Sequence, residues 1–596
     1  MNTAATRSFA DTTAPFALFD DNLGSGGDLL LADWIETIQC TDPRHLTTTL
    51  ARIEAARQAD HWVALALAYE LGLALEPRLE PLLPPAGQPL LTAWVFRRAA
   101  RLSVAQTDAW LAAGTASPPP AGLGRGTLGL AESRYHQQVG HIRDYIAAGD
   151  CYQVNYTFPL TGELWGPPRA LYQRLRAAQP VRHGAFIQHP EGWILSRSPE
   201  LFLDHDGRGV TCRPMKGTAP RQADPAALLT EKNRAENLMI VDLIRNDLGR
   251  LAPSGGVKVE RLFQVEAYPS LWQLTSTIRA EPVTANLAAL LAALFPCGSI
   301  TGAPKIRAME IIAELETQPR GLYCGALGWL APDGPLRLAV PIRTLEVDAH
   351  RQARLGIGSG IVQDSDPAAE WQECLLKARF LTELPPELRL IETLRREPDG
   401  SYPLLPWHLE RLQASAAYFG FPFSKTEVEA ALAGVPADPA GHPLRVRLTL
   451  GPAGDLEITS APLAPPEGPA TVTLAPERLD SREPLLRHKT TARAHYDQAM
   501  ARAMAAGHFD TLFCNERGEL CEGARSNLFL RLDGELLTPA ADCGLLNGVL
   551  RRSLLAAGRA REARLTLADL HRAEAVFAGN ALRGLTPVTL VAAGQV

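Results

Sequence analysis

The feature that most constrains this chain is the proline pair inside Leu384-Pro385-Pro386-Glu387, which separates two segments that each read as complete. Proline fixes φ and lacks a backbone donor, so neither a helix nor a sheet ladder runs through the pair. Before it, ECLLKARFLTEL reads as a closing amphipathic helix. After it, RLIETLRR opens a strand pattern that turns at Asp399-Gly400. The main boundary is expected near residue 385, giving a first domain over 1–384 and a second over 385–596. Further proline-rich stretches at 81–89, 117–126 and 461–469 read as loops or linkers, the first two joining parts of the first domain.

The 596 residues carry 59 Lys+Arg against 65 Asp+Glu, a formal charge of −6, so no excess positive field exists to neutralise nucleic-acid phosphates. A hydrophobic share of 46% supports a full core and excludes a disordered or fibrous chain. Nine cysteines form no CxxC pair and are odd in number, which argues against a disulfide framework or zinc ribbon and for a reducing compartment. No run approaches the ~20 apolar residues of a membrane span. MNTAATRSFADTTAPF has no signal-peptide core. The expectation is a soluble, cytoplasmic enzyme with neither nucleic acid nor membrane as partner.

Strand-like runs such as GAFIQHPEGWILSRSPELFL and CGALGWLAP alternate with helical patterns, which suggests α+β rather than a regular parallel sheet. RYHQQVGHIRDYIAAGD sets Val139, Ile142, Tyr145 and Ile146 at helical spacing before a Gly-Asp stop. EKNRAENLMIVDLIRNDLGRL sets Leu238, Val241 and Leu248 likewise, and PAAEWQECLLKARFL reads as a third helix. Glu236 lies in the second, while Glu370 and Glu373 share a face of the third. Converging carboxylates suit Mg²⁺; any lone glutamate is more commonly a solvated helix-face charge. Lys216, in RPMKGTAPR, can act as a nucleophile if desolvated; the commoner alternative is a surface loop lysine. FPCGSITGAPK and GIGSGIVQDSD are glycine-rich turns able to offer N–H groups to an anion. With Arg343 in PIRTL they imply a small polyanionic ligand.

AGDCYQVNYT, SRSPELF, RPMKGTAPR, RAENLMIVDLIRNDLGR, FPCGSITGAPKIRAMEII, YCGALGWL, PIRTL and GIGSGIVQDSDPAAEWQE occur in this order. Together they resemble the chorismate-utilising family over about 135–381, with a weaker likeness in LFDDN and ALAYELG. The fold this implies is a layered α/β sandwich with antiparallel sheets. The lysine of PMKGT resembles the aminodeoxychorismate synthase component I (PabB-like) group; anthranilate synthases carry alanine there. The resemblance implies that Lys216 attacks the chorismate ring at C2 while Glu200 protonates the departing C4 hydroxyl. It implies Mg²⁺ on Glu236 and Glu373, with Glu370 nearby or bound through water. Arg343, Tyr323 and backbone N–H groups around Ser359 and Gly360 would hold the enolpyruvyl carboxylate, with Thr301 and Lys305 lining the site. Gln273 stands where many relatives carry histidine. Glutamine cannot shuttle a proton at neutral pH, which favours aminodeoxychorismate over anthranilate as product.

The second half has its own pattern. HKTTARAHYD holds Lys489, ELCEGARSNLFL holds Glu522, GLLNGVLRRSL runs from a loop into a helix, and VFAGNALRGLTPV offers a small-residue turn. Lysine, acid and phosphate-receiving turns are the parts pyridoxal 5'-phosphate needs. With LIETLRR and LLPWHLERLQASAAYFGF they resemble fold-type IV pyridoxal-phosphate enzymes, two-subdomain α+β units, and most closely the aminodeoxychorismate lyase (PabC-like) group. The resemblance implies Lys489 as the Schiff-base lysine and Glu522 on the pyridine nitrogen. It puts Arg411 and the N–H groups near Gly548, Val549 and Leu550 on the phosphate, and Ser526, Asn527, Asn580 and Ala581 along the cofactor. Thr393 matches a threonine near the lyase active site. The hairpin that usually precedes the IET strand is missing or very short, leaving the first domain or its linker to replace it.

The two halves together imply a bifunctional route from chorismate and ammonia to 4-aminobenzoate, a folate precursor, and pyruvate. No GxCxG elbow occurs, so a separate glutamine amidotransferase subunit (PabA-like) is expected to supply ammonia. Analogy with fold-type IV enzymes leaves open a homodimer through the second half. The rival expectations are an anthranilate synthase-like first half with an aminotransferase-like second half, or one half serving only for binding or assembly.

Overall fold

The computed structural model describes residues 14–24, 27–85, 87–112, 118–267, 271–464 and 470–591. The N-terminal 1–13, Ala86, Ser117 and 465–469, on which parts of the expectations above fall, lie outside the described residues. Two compact units emerge. The first comprises Met1–Pro118, Gly126–Gly162 and Pro168–Leu384; the second comprises Pro119–Arg125, Glu163–Pro167 and Pro385–Val596.

The first unit is built on antiparallel strands with helices packed against them, the layered α+β architecture expected from its motifs. Phe16–Asp20 pairs with Asp28–Cys40 on one side and His183–His189 on the other. Trp62–Leu67 lies between Leu91–Leu102 and Ala326–Leu330. GAFIQHPEGWILSRSPELFL forms the hairpin His183–His189 with Gly192–Ser198, then Leu201–His205. The helix Glu132–Ala147 buries Tyr135, Gln138, Val139 and Ile142, a stripe at i, i+3, i+4 and i+7. It ends where Gly149, at φ +83°, donates to the Ile146 carbonyl. In Glu231–Leu248 the buried stripe is Asn237, Ile240, Val241, Ile244 and Leu248. Leu238, expected on it, is 48% exposed, because a residue one step past Asn237 is turned about 100° from that stripe.

The second unit has two sheets, each with its own core. Leu390–Arg396, Leu444–Leu450 and Leu456–Pro462 form an antiparallel three-stranded sheet. Leu405–Phe419 and Lys425–Ala433 cover one face of it, burying Leu390, Leu394, Leu409, Leu412, Val428 and Val446. The larger sheet is mixed. Thr471–Leu479 runs parallel to Asp510–Asn515 and to Gly584–Leu590, while Asn527–Leu532 is antiparallel to Ala575–Asn580.

The proline-rich stretch expected to join parts of the first domain does link Met1–Pro118 to Gly126–Gly162, but Pro119–Arg125 itself belongs to the second unit. Gly122–Leu123 pairs antiparallel with Leu164 and Trp165. A Cβ at Gly122 would stand 2.5 Å from the Trp165 ring, so only glycine lets the backbone pass over the indole. Trp165 is 1% exposed, among Leu388, Leu390, Leu394 and Phe419, and meets the Phe419 ring edge-on at 5.5 Å. The second unit's first core is thus completed by residues that precede Pro385. We predict that Trp165→Ala in the full chain lowers the stability of the second unit by about 3–5 kcal/mol. Scanning calorimetry should show one transition moving down while the other stays.

Candidate active sites

In the first unit, Glu200 follows the strand Gly192–Ser198 and is 4% exposed. Its Oε1 accepts from the Ser299 hydroxyl at 2.6 Å. Burial pushes the carboxyl up to about 7, opposed by that bond and by the charge of Lys216. Lys216 sits on Met215–Pro220 opposite Leu274. The register shifts between Lys216 and Thr218, where Gly217 takes φ +76°. Such a bulge bends its strand and re-aims the neighbouring side chain. Burial holds the Lys216 amine below the ordinary lysine range; Glu236, Glu200 and Glu373 oppose this and Lys377 adds to it. Gln273 is buried on the partner strand, and its Nε2 donates to the Gly217 carbonyl at 3.0 Å. Gly360 also faces this point. A Cβ there would lie 2.5 Å from Gln153 Nε2 and 3.6 Å from Lys216 Nζ.

The other expected residues have the following partners. Lys305 Nζ donates to Asp247 at 2.5 Å and to the Leu294 carbonyl, so its charge is held by a buried carboxylate. Thr301 Oγ1 donates to the Gly298 carbonyl within its own loop. The Ser359 hydroxyl meets the Tyr135 hydroxyl at 2.8 Å. Tyr323 is buried, its ring closed against Gly356, where a Cβ would be 2.1 Å from the ring. Arg343 is half-buried in the left-handed region at φ +52°, and its carbonyl accepts from Arg197. The expected metal trio is not gathered: among the described residues no three His, Cys, Asp or Glu side chains cluster to hold an ion. Glu370 turns to accept from Ser365 at 2.7 Å, while Glu373 pairs with Lys377 at 2.7 Å. One helix carries both, and each carboxylate has its own partner. Glu236 and Glu373 remain the carboxylates that bear on Lys216.

In the second unit, Lys489 runs alongside the strand Leu390–Arg396, its carbonyl accepting from Ile391 N at 2.8 Å. Its Nζ donates to Thr393 Oγ1 at 3.0 Å. Burial, then the charge of Arg411, lowers the amine to about 7; Arg493 and Arg447 add to this and Glu392 opposes it. Arg411 donates Nε and Nη2 to the two oxygens of Glu392 at 2.8 and 2.6 Å, and His408 Nδ1 meets Glu392 Oε2 at 2.6 Å. Against the cost of burial, Arg411 and His408 hold this carboxylate down at about 2. Glu392 and His408 stand inside quoted motifs, yet only the structure assigns them partners. His408 Nε2 is buried without a hydrogen-bond partner.

Glu522 lies on Leu520–Gly523, 6% exposed. It accepts from Tyr496 Oη at 2.7 Å and from Leu546 N at 3.2 Å, with Asn527 Nδ2 at 3.5 Å. Burial raises the carboxyl to about 7. A Cβ on Gly548 would fall 2.0 Å from Asn527 Oδ1, so the turn needs glycine. Gly548 caps Val549–Ala556 without a side-chain bond, leaving the N–H groups of Val549 and Leu550 to face outward from the helix start. Ser526 donates to buried Asp510 at 2.5 Å. Asn580 Oδ1 accepts from Leu582 and Arg583 N and so shapes its own turn beside Ala581. The charge of Arg493 bears on both Lys489 and Glu522.

The family described as chorismate binding enzyme matches residues 31–383, and the family described as amino-transferase class IV matches 389–591. Anthranilate synthase component 1 of Streptomyces coelicolor is 43% identical over 277 residues, 45% of this chain and 54% of that protein. Aminodeoxychorismate synthase component 1 of Escherichia coli is 43% identical over 265 residues, 43% of this chain and 58% of that protein. The chain thus spans little more than half the length of these curated relatives. The crystal structure of anthranilate synthase component I from Streptococcus pneumoniae, at 24% identity and a TM-score of 0.51, covers 61% of this chain and 92% of that one, a likeness of fold.

The Glu392 brace gives a prediction. Arg411→Met leaves a buried carboxylate without its main partner and should cost about 3–5 kcal/mol at pH 7. Because folding depresses this carboxyl, its contribution is present above the ordinary glutamate range and is lost as pH falls toward about 2. Denaturant melts of parent and variant should therefore converge as the pH is lowered from about 5.

Proposed function

Because the chain belongs to the chorismate binding enzyme family, which covers more than half of it, we propose that its first unit aminates chorismate to 4-amino-4-deoxychorismate. The second unit, matching amino-transferase class IV, then eliminates pyruvate to leave 4-aminobenzoate. The observation that carries this reading is Lys216, a desolvated amine beside a carboxyl raised to about 7. Neutral Lys216 Nζ forms a bond to ring C2; the ring double bonds shift and the C4 hydroxyl leaves as water, taking its proton from Glu200. Ammonia then bonds to C4, the double bonds shift back, and the C2–N bond to Lys216 breaks. Gln273 steadies the Gly217 carbonyl beside the nucleophile. Glu236 and Glu373, whose charges both bear on Lys216, are oxygen donors of the kind a hard cation takes. They would hold Mg²⁺, which would neutralise the ring carboxylate.

Pyridoxal 5'-phosphate, when bound in the second unit, supplies an electron sink for carbanion chemistry. The residues fit it. Glu522 carries a proton near neutrality for a pyridine nitrogen, and Lys489 has an amine near 7 oriented by Thr393. Arg411 and the uncapped N–H groups after Gly548 suit a phosphate. Lys489 Nζ takes the proton from substrate C4, and the enolpyruvyl group leaves as pyruvate. A separate glutamine amidotransferase would deliver the ammonia, and the reaction would run in the cytoplasm. A second reading, anthranilate formation in the first unit, draws on the equally similar anthranilate synthase of Streptomyces coelicolor.

Incubation with chorismate, ammonium, Mg²⁺ and pyridoxal 5'-phosphate should yield 4-aminobenzoate by chromatography; anthranilate would overturn the reading. Lys489→Ala should accumulate 4-amino-4-deoxychorismate, and Lys216→Ala should slow its formation. The amination rate should fall as the pH rises through about 7, where Glu200 loses its proton. Glu200→Gln should lose about 10²–10⁴-fold in rate and show no such limb.

A further inference from the structure

The strand Leu444–Leu450 alternates strictly. Leu444, Val446, Leu448 and Leu450 are buried in the core under the two helices, and Arg445 and Arg447 are exposed on the opposite face. Thr393 is directly opposite Arg447 in the antiparallel register. Such partners point to one face with Cβ atoms about 5 Å apart. That face is the one on which Lys489 Nζ reaches Thr393 Oγ1. Arg447 forms no ion pair or hydrogen bond among the described residues, whereas Arg411 is clamped on Glu392 and Arg493 on Asp497. An unpaired guanidinium on the face that the lysine reaches is a fork for a carboxylate.

We propose that Arg447 receives a carboxylate of the incoming amine substrate and thereby sets its amino group against Lys489. This rests on the lyase reading of the second unit and deepens it by naming the group that recognises the acid. The charge of Arg447 also bears on Lys489, in the direction that favours a neutral amine.

The test compares two ligands on the full chain reconstituted with pyridoxal 5'-phosphate, 4-aminobenzoate and aniline, which differ only in the carboxylate. Binding is read from the shift in the cofactor's absorbance. The parent should prefer 4-aminobenzoate by about tenfold or more, as one charge-assisted fork requires. Arg447→Met should bring the two ligands to within about twofold of each other, with cofactor stoichiometry unchanged, and Arg447→Lys should recover part of the preference. A preference that survives in Arg447→Met overturns the proposal. So does loss of cofactor from that variant, which would assign the guanidinium to the phosphate. If the parent ignores 4-aminobenzoate but binds alanine over ethylamine, and Arg447→Met abolishes that difference, the carboxylate fork stands while the lyase reading falls.

Discussion

Holding an amine out of water among groups that pull on its charge is the constraint on which both sites turn. Desolvation lowers each lysine, but the surroundings differ in sign. Around Lys216 stand Glu236, Glu200 and Glu373, all of which favour the charged amine. Around Lys489 stand Arg411, Arg493 and Arg447, which oppose it, with Glu392 alone on the other side. A carboxylate-rich setting suits a site that needs an acid and a hard cation beside the nucleophile. An arginine-rich setting suits one that receives anions and needs its lysine neutral.

The arginine-rich setting has a structural cost, and Glu392 offsets it. A guanidinium in the core of the three-stranded sheet is tolerable only if paired and fully bonded. Glu392 supplies both oxygens to Arg411, and His408 closes on the same carboxylate. The apolar residues that enclose this group, Leu409, Leu412 and Leu394, belong to the core that Trp165 completes. Packing there and the placing of a charge at the site are therefore one problem. A cavity at Trp165 loosens the wall that keeps Arg411 and Glu392 in register.

Much of this was legible in the residues. The ordered motifs imply the family, the break at Pro385 falls between the two large blocks, and SPELF and CEGARSNLF each hold a carboxyl raised to about 7. What stayed hidden depends on side-chain direction. Glu370 and Glu373 share a helix face, yet they take different partners, Ser365 and Lys377. Lys305 reads as a free cation until Asp247, far along the chain, is seen to hold it. The Ser359 hydroxyl serves Tyr135, a bond the sequence does not announce. Trp165 lies in a long strand pattern, and nothing local says that its indole completes a different core. Arg447 is a polar residue in an alternating strand until the register sets it against Thr393.

The raised acids of the two sites have a common cause and a shared consequence. Glu200 and Glu522 are both pushed to about 7 by burial, each with a short hydroxyl bond as the chief opposing influence, from Ser299 and Tyr496 respectively. A hydroxyl is a moderate donor. It anchors the carboxyl without fixing its charge, unlike the guanidinium that drives Glu392 down to about 2. Each acid therefore keeps a proton to give near neutrality, while Lys489, also near 7, keeps a neutral fraction. Hydroxyl partners for these two carboxyls, and an arginine for Glu392, set two acids near neutrality and one carboxylate far below it.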